Sequence, residues 1–571
     1  MCSTFVGYGA SIYYCKDCRV YEFSLIETTY SLELTKEEAL NWLCSEIRHV
    51  EKNELRLRGE LLSASDDQVV LKLDSKPRSF LLVGETYQIK IGGKEISAQL
   101  TSIIGDIATF SPTTSGDRSR LERMKKRTVE IRSNGGIYLY RVSKEWIEKE
   151  VKDDDLTHYL SKLTLVIDGP PGSGKTSEIM KIIRENSDKR FLIVSLSNVA
   201  VDNVLMRLKD LNPLKVGIKK VFPNVKHVSE IEDEVEERIV GMTLTSFAMA
   251  VKRGIVKQDF DYLVVDEASM IPFALGLMPF DFAEKVIVAG DNRQLRPIVF
   301  STPQNTYPAW ESLMGLAAGY AKAHGVYKYL NVQYRGRKEI YDVIAQAFYS
   351  DVGVQVNQYN RKDYNYSRSD DFFDEILSDK CAITWVQIRG AREEWRNRSA
   401  YNEVEAALVA LLYSRLKEAG LKDEDIGVIT NFRAQAALLQ RILGISIRVN
   451  HLGMLKDEKE GEVDYAFDEY VSTVDSFQGG EKLVVLYSTV LSEEHESLKD
   501  FRRTNVALSR AKEKLVVITS LKDIEKLPFL CLIRAKTQAG KCYYEVTVTD
   551  LEHNSEFQTY VEKVRKSAHL K

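Results

Sequence analysis

Between Leu163 and Arg335 the chain alternates continuously apolar runs with helical segments, the runs being LTLVIDG, RFLIVSLS, FDYLVVDEA and EKVIVAGD. A strand apolar at every position, rather than at every second one, is covered on both faces, as in a parallel sheet. Interleaved with helices, such strands predict an α/β layer structure. A second series opens near Cys381 with CAITWVQI, continues through DIGVIT, YVSTVDSF and EKLVVLYST, and ends at EKLVVITS before residue 521. The fold class is therefore α/β, with two such domains in tandem.

The period changes toward the N-terminus. Residues 54–110 carry short alternating stretches broken by turn residues (LRLRGELL, DQVVLKL, YQIKIGGKEISAQL, DIATF), the pattern of a small antiparallel barrel. TKEEALNWLCSEIRHVEK before it and SRLERMKKRTVEI after it read as helices carrying the barrel on a stalk. The expected organisation is a β-rich segment (1–34), stalk and barrel (35–130), a first α/β domain (131–350), a second (351–520) and an appendix (521–571). The appendix carries a candidate hairpin, AKTQAGKCYYEVTV. No internal repeat interrupts this layout.

Composition adds limits. A chain of 571 residues is expected to hold three to five domains at roughly 100–200 residues each. With 44% hydrophobic and 28% charged residues, it has the apolar content of a folded protein. It has neither an apolar run of about 18 residues nor a signal-peptide layout, so a soluble cytoplasmic protein with no membrane partner is expected. Seven scattered cysteines suggest packed thiols in a reducing compartment rather than a disulfide framework. Cys15 and Cys18 in YYCKDC have zinc-knuckle spacing, but only Cys2, Cys44 and His49 lie near enough in sequence to complete four ligands, and ordinary thiols are the simpler reading. A net charge of −4 neither points to nor excludes nucleic acid.

The chemistry starts at GPPGSGKT, which follows an apolar strand and precedes the helical SEIMKIIREN. That context is the one a Walker A loop requires. The loop Gly169, Pro170, Pro171, Gly172, Ser173 and Gly174 would wrap around phosphate oxygens, its glycines letting backbone N–H groups turn inward, aided by the helix dipole. Lys175 would neutralise the β and γ phosphates of ATP, and Thr176 would hold magnesium. Asp266 and Glu267 end the strand in VVDEAS; Asp266 is expected to hold the metal directly or through a bound water, and Glu267 to be the base that orients and deprotonates water. Alone, an Asp-Glu pair at a strand end is more often a surface feature, but downstream of a phosphate loop it gains meaning.

Four further stretches resemble motifs III to VI of superfamily 1 helicases and occur in that order: AGDNRQLRP (289–297), LNVQYR (330–335), VSTVDSFQGGEK (471–482) and RRTNVALSRAK (502–512). SLSNVAVDNVLMRL and IGVITNFRAQ further resemble the branch that includes the nonsense-mediated-decay helicase, senataxin and the immunoglobulin-mu-binding helicase. The resemblance implies two tandem RecA-like P-loop domains with ATP and magnesium between them. It implies that Gln294 senses the γ-phosphate, that Arg335 and Arg510 are arginine fingers, that Tyr334 stacks on adenine, and that Glu481 with Gly479 borders the ribose. The family's usual adenine-reading glutamine has no counterpart in DDDLTHYLSKLTLVID, so relaxed nucleotide selectivity is expected.

By the same resemblance, Ser197, Asn198 and Thr245 in the first domain and Thr430, Arg433 and Thr473 in the second would contact a nucleic-acid backbone. Small hydroxyl and amide groups suit contacts that do not read bases. Ser197 and Thr245 have a plainer reading as helix caps. The basic cluster Arg118, Arg120, Arg123, Lys125, Lys126 and Arg127 would flank the strand or simply face solvent. The expected function is an ATP-dependent helicase or translocase on single-stranded DNA or RNA, a monomer, with 5′ to 3′ movement implied by the resemblance alone. An ATP-switched clamp or ribonucleoprotein remodeller without processive unwinding is the alternative; a fused nuclease finds no dedicated segment.

Overall fold

The computed structural model describes residues 3–6, 10–14, 21–25, 34–53, 56–64, 68–74, 86–91, 94–104, 107–112, 128–133, 137–217, 225–228, 236–252, 254, 256, 259–299, 309, 311–357, 366, 371–396, 399–443, 470–477 and 480–568. Cys2, Cys15, Cys18, Gly479 and the basic cluster 118–127 lie outside them.

The first apolar series forms an eight-stranded sheet in which every pairing is parallel, with spatial order Lys226–Val228, Leu214–Val216, Ile239–Thr243, Phe191–Ser195, Phe260–Val265, Ala283–Gly290, Leu163–Asp168, Tyr327–Tyr329. Register aligns Asp168 with Gly290 and Val265 with Val288, so three neighbouring strands end at one edge. The segments that follow them, from Gly169, Asp266 and Asp291, therefore share one end of the sheet, where open α/β folds bind ligands.

The second series forms a six-stranded parallel sheet, ordered Val471–Thr473, Ile426–Thr430, Lys482–Ser488, Ala511–Thr519, Ile383–Arg389, Tyr543–Thr547. Its last strand corrects two expectations about residues 521–571. AKTQAGKCYYEVTV is not a hairpin but the end of the helix Pro528–Ala539 followed by a strand that extends the sheet. The segment is no appendix either: Phe529, Leu530, Phe557 and Val561 are buried in this domain's cores. Cys381 and Cys542 form a disulfide across the same edge, correcting the expectation of thiols throughout. Helix Lys338–Phe348 also packs here, with Ile340, Tyr341 and Phe348 in the core around Trp385, so the boundary near 350 falls too late.

Six strands, Arg56–Ala64, Val69–Leu73, Ile107–Pro112, Lys94–Ile104, Thr86–Ile91 and Thr128–Ser133, close into an antiparallel barrel with its own core of Val69, Leu71, Ile89, Phe110 and Ile131. Of SRLERMKKRTVEI, read as a helix, the portion Thr128–Ile131 is barrel strand, because its alternating Val129 and Ile131 fill the interior. Helix Ile137–Lys149 packs against Lys36–Asn53, with Trp42 and Tyr140 ring centroids 5.8 Å apart. Ahead of the stalk, Ser3–Val6, Ala10–Tyr14 and Tyr21–Leu25 form a small antiparallel sheet. Among the described residues no helix is long and apolar enough to cross a membrane, and no group of three or more His, Cys, Asp or Glu side chains is placed to hold a metal ion. Cys44 and His49 both lie on the first stalk helix.

Candidate nucleotide site between the two sheets

The phosphate loop gets its shape from two glycines with positive φ, Gly172 at 77° and Gly174 at 93°, where side chains are disfavoured. Gly172 also packs so closely that an added Cβ would stand 2.3 Å from the Arg335 Cβ. Helix Lys175–Glu185 starts directly behind the loop, so its first N–H groups face the loop's interior. The Lys175 ammonium donates to the Gly169 and Pro170 carbonyls at 2.6 and 3.1 Å. The Ser173 hydroxyl is buried with no hydrogen-bond partner among the described residues.

Acidic groups converge on the same end of the sheet. Asp266 is buried, and its pKa is pushed up to about 7, by desolvation first and by Glu267 second; the Glu267 N–H, donated to it at 2.9 Å, and Lys175 pull the other way. Glu267 itself takes a left-handed conformation with φ 54°, at a cost of roughly 1–2 kcal/mol for a side chain of this kind. Asp168, the residue just before Gly169, is also buried. Its pKa is raised to about 6, by burial and then by Asp291, against the Tyr327 hydroxyl that donates to it at 2.9 Å and the charges of Lys175 and Arg293.

The second domain meets this end of the first sheet through Gln294, which follows the strand Ala283–Gly290. Gln294 is held by its amide N–H on Asp291 at 3.0 Å, and its oxygen accepts from Arg510 at 2.7 Å. Arg510 is fully buried, with further bonds to the Val506 and Gly480 carbonyls at 2.9 and 3.2 Å. Arg335 pairs with Glu481 at 2.7 Å and donates to the Ser509 carbonyl at 3.1 Å. Glu481 also receives Lys512 at 2.5 Å. Burial would raise the Glu481 pKa, but Arg335 and Lys512 override it and hold it near 2. Tyr334, 54% exposed, is anchored through its backbone N–H on the Gly172 carbonyl at 2.9 Å. Thr176, the second residue of the phosphate-loop helix, is partly exposed.

These residues fit a magnesium nucleotide. The glycine cradle admits no side chain at Gly172, the Ser173 hydroxyl lacks a partner, and a hard cation with oxygen ligands suits Thr176 and the buried Asp266 carboxylate.

Several members of this site were not singled out from sequence. Asp168 carries a legible signal, a carboxylate at the strand end directly before the glycines. Asp291, Asn505 and Arg502 do not announce themselves: Asn505 donates to the Arg293 carbonyl at 2.7 Å and to the Tyr349 hydroxyl at 2.8 Å, and Tyr349 donates to Asp291 at 2.6 Å. Arg502, fully buried, donates to the Asn292 carbonyl at 3.4 Å.

The residues assigned to a nucleic-acid track divide. Ser197 N-caps helix Asn198–Arg207, its Oγ accepting from the Ala200 N–H at 3.1 Å, which is the plainer of its two readings. The Asn198 amide oxygen is buried without a partner among the described residues, and Thr245 sits partly exposed in the first turn of helix Leu244–Lys252. Thr430 has 0% exposure at the end of its strand, so as it stands its hydroxyl cannot touch a bound strand. Burial between neighbouring strands explains that. Thr473 is nearly buried beside Ser476, whereas Arg433 is exposed at the start of helix Arg433–Ile442. The two sets lie at strand ends of different sheets.

Two family models, each described as AAA domain, match the chain: one over residues 312–522, the other in overlapping pieces over 143–238 and 226–302. The chain is similar to the DNA replication ATP-dependent helicase/nuclease DNA2 of Mus musculus, 29% identical over 412 residues that make up 65% of this chain and 36% of that protein. It is also similar to the DNA replication ATP-dependent helicase/nuclease JHS1 of Arabidopsis thaliana, 27% identical over 436 residues, 70% of this chain and 31% of that protein. The chain thus spans about a third of the length of these relatives. Among solved structures, the arterivirus nonstructural protein 10 helicase aligns with 90% of this chain and 86% of its own at 15% identity, with a TM-score of 0.40.

Proposed function

We propose that this chain, a superfamily 1 helicase with an ATP-hydrolysing core, is a translocase that couples closure of two RecA-like domains on Mg-ATP to 5′ to 3′ movement along a single strand. The observation that carries the proposal is the contact between Gln294 of the first sheet and Arg510 of the second. A sensor beside the acidic pair that is bonded to a guanidinium from the other domain makes hydrolysis depend on how the domains meet.

The chain's own groups divide the work. Lys175 releases the Gly169 and Pro170 carbonyls to meet phosphate oxygens, and the loop N–H groups complete the cradle. Bound magnesium supplies charge that draws electrons from the phosphoryl group. Thr176 and Asp266 would hold it. Glu267 takes the proton of the attacking water, Gln294 orients that water, and Arg510 and Arg335 offset charge building on the γ-phosphate. Tyr334 offers an exposed ring to adenine, with Glu481 toward the ribose.

The names of the relatives favour DNA as the strand. Arg433, Thr245, Thr473, Ser197 and Asn198 are the backbone contacts of this reading, Thr430 entering only if its strand end shifts. The branch that includes the nonsense-mediated-decay helicase is supported by SLSNVAVDNVLMRL and by the barrel ahead of the phosphate loop. The test is ATP turnover with and without single-stranded DNA, together with displacement of a 5′-tailed duplex and of its 3′-tailed counterpart. Strand-stimulated turnover with displacement from the 5′ tail is expected. Stimulated turnover without displacement from either tail would instead identify an ATP-switched clamp.

A further inference from the structure

Trp395 is a large aromatic side chain left open on the second domain, 48% exposed, whereas Trp42, Trp146 and Trp385 are buried. Its support is built. It lies in the hairpin of Glu394–Arg396 and Ser399–Tyr401, pinned at several points: Ser399 Oγ accepts from the Ala434 N–H at 2.9 Å, the Tyr401 hydroxyl donates to Glu394, and Glu393 accepts from the Ser492 N–H at 2.9 Å. Phe432 meets the indole edge-on, with centroids 5.5 Å apart and planes at 78°, and His495 leans on both at 5.6 and 5.9 Å. A ring fixed this way loses little freedom when a second ring stacks on it.

Its location gives the ring a use. Phe432 lies two residues beyond the strand Ile426–Thr430, at the carboxyl edge of the sheet. The neighbouring loop is joined to it there: the Val474 N–H donates to the Thr430 carbonyl at 3.0 Å, and Arg503 bridges Asp475 at 2.6 Å to the Asn431 carbonyl at 3.4 Å. Arg433 follows directly. Resting on the proposed function, we infer that Trp395 is a stacking platform for one nucleobase of the bound strand. The acidic residues next to it in the chain constrain the approach. Glu393 and Glu394 adjoin Trp395, and Glu493, Glu494 and Glu496 adjoin His495 in sequence, so the phosphate would lie on the Arg433 side and only the uncharged base would reach over the indole. Stacking is indifferent to base identity, because every base presents a π face.

The test compares equilibrium binding of the full chain to a single-stranded oligonucleotide and to an abasic strand of equal length, as DNA and as RNA, at fixed salt. Wild-type chain should prefer the strand that carries bases. W395A should lose that preference, weakening binding to it by about 5- to 100-fold while binding to the abasic strand stays the same. W395F should keep most of the preference. The indole should also report directly, with strand-induced fluorescence quenching present in wild type and absent in W395F. If W395A keeps the wild-type preference, or weakens both strands equally, the platform is overturned and the motor proposal stands. If wild-type chain binds neither strand, both fall.

Discussion

Arg510 Nη2 lies 2.7 Å from the Gln294 oxygen, joining residues 216 positions apart in loops that border two different sheets. Burial lowers the Arg510 pKa to about 10, with Arg335 adding to the effect, so the guanidinium stays charged at neutral pH. A finger of this kind is worth about 10³-fold or more in turnover. Arg510→Ala should lower kcat for ATP by that order while changing nucleotide affinity less than about tenfold. Steady-state ATPase with nucleotide titration checks it, and a kcat within tenfold of wild type would remove Arg510 from the chemistry.

Lys175→Ala and Glu267→Gln probe the first domain's share of the site. Both should abolish ATP turnover, the first by losing phosphate binding and the second with ATP still bound. Filter binding of single-stranded DNA should stay near wild type in both. Normal turnover in either variant would overturn its assigned role.

Asp266 gives a pH signature. Its folded pKa of about 7 stands above the usual 3.8, so the folded chain binds the proton more tightly than the unfolded one. Stability from this group is complete below about pH 4 and falls as pH rises through 7. Asp266→Asn should therefore melt higher than wild type at about pH 7.5 without magnesium, with the gain vanishing near pH 4. Melting curves across that range decide it; an equal gain at both ends would point to packing instead.

The Cys381–Cys542 bond closes a loop with a sequence separation of 161. Cross-links of this reach stabilise by typically 2–4 kcal/mol, largely through the unfolded chain. Cys381→Ser, or reduction of the wild type, should lower the melting temperature by several degrees and leave kcat unchanged. Identical melting with and without reductant would show that the bond contributes nothing.

Much of this was legible in the chain itself. Runs such as EKVIVAGD and EKLVVLYST are apolar throughout because their strands are covered on both faces, and they surface as parallel strands. The phosphate loop was legible for the same kind of reason: glycines at fixed spacing after a strand leave few alternatives. Legibility fails where a residue depends on partners far away in sequence. Nothing local tells that Tyr543–Thr547 completes a sheet begun at Ile383, or that Thr430 ends its strand with no exposure. Asn505 likewise takes its meaning only from the Arg293 carbonyl and Tyr349. TVEI was misread because a charged run adjoins it, although its own alternation is that of a strand.

The passage from the first sheet to the second is short. Leu330 N–H bonds the Asp168 carbonyl, Tyr334 N–H the Gly172 carbonyl, and Arg337 N–H the Lys512 carbonyl, so the connecting chain is tacked to one unit and then to the other as it skirts the phosphate loop. If the proposed closure turns about that crossing, phosphates held by the loop would lie almost on the axle. Rotation there would turn the groups around the nucleotide through an angle while hardly displacing them, and the same rotation would sweep the distant rim through a longer arc. On the proposed closure the molecule would be geared: a change on the scale of one broken phosphate bond at the hub would become travel at the periphery.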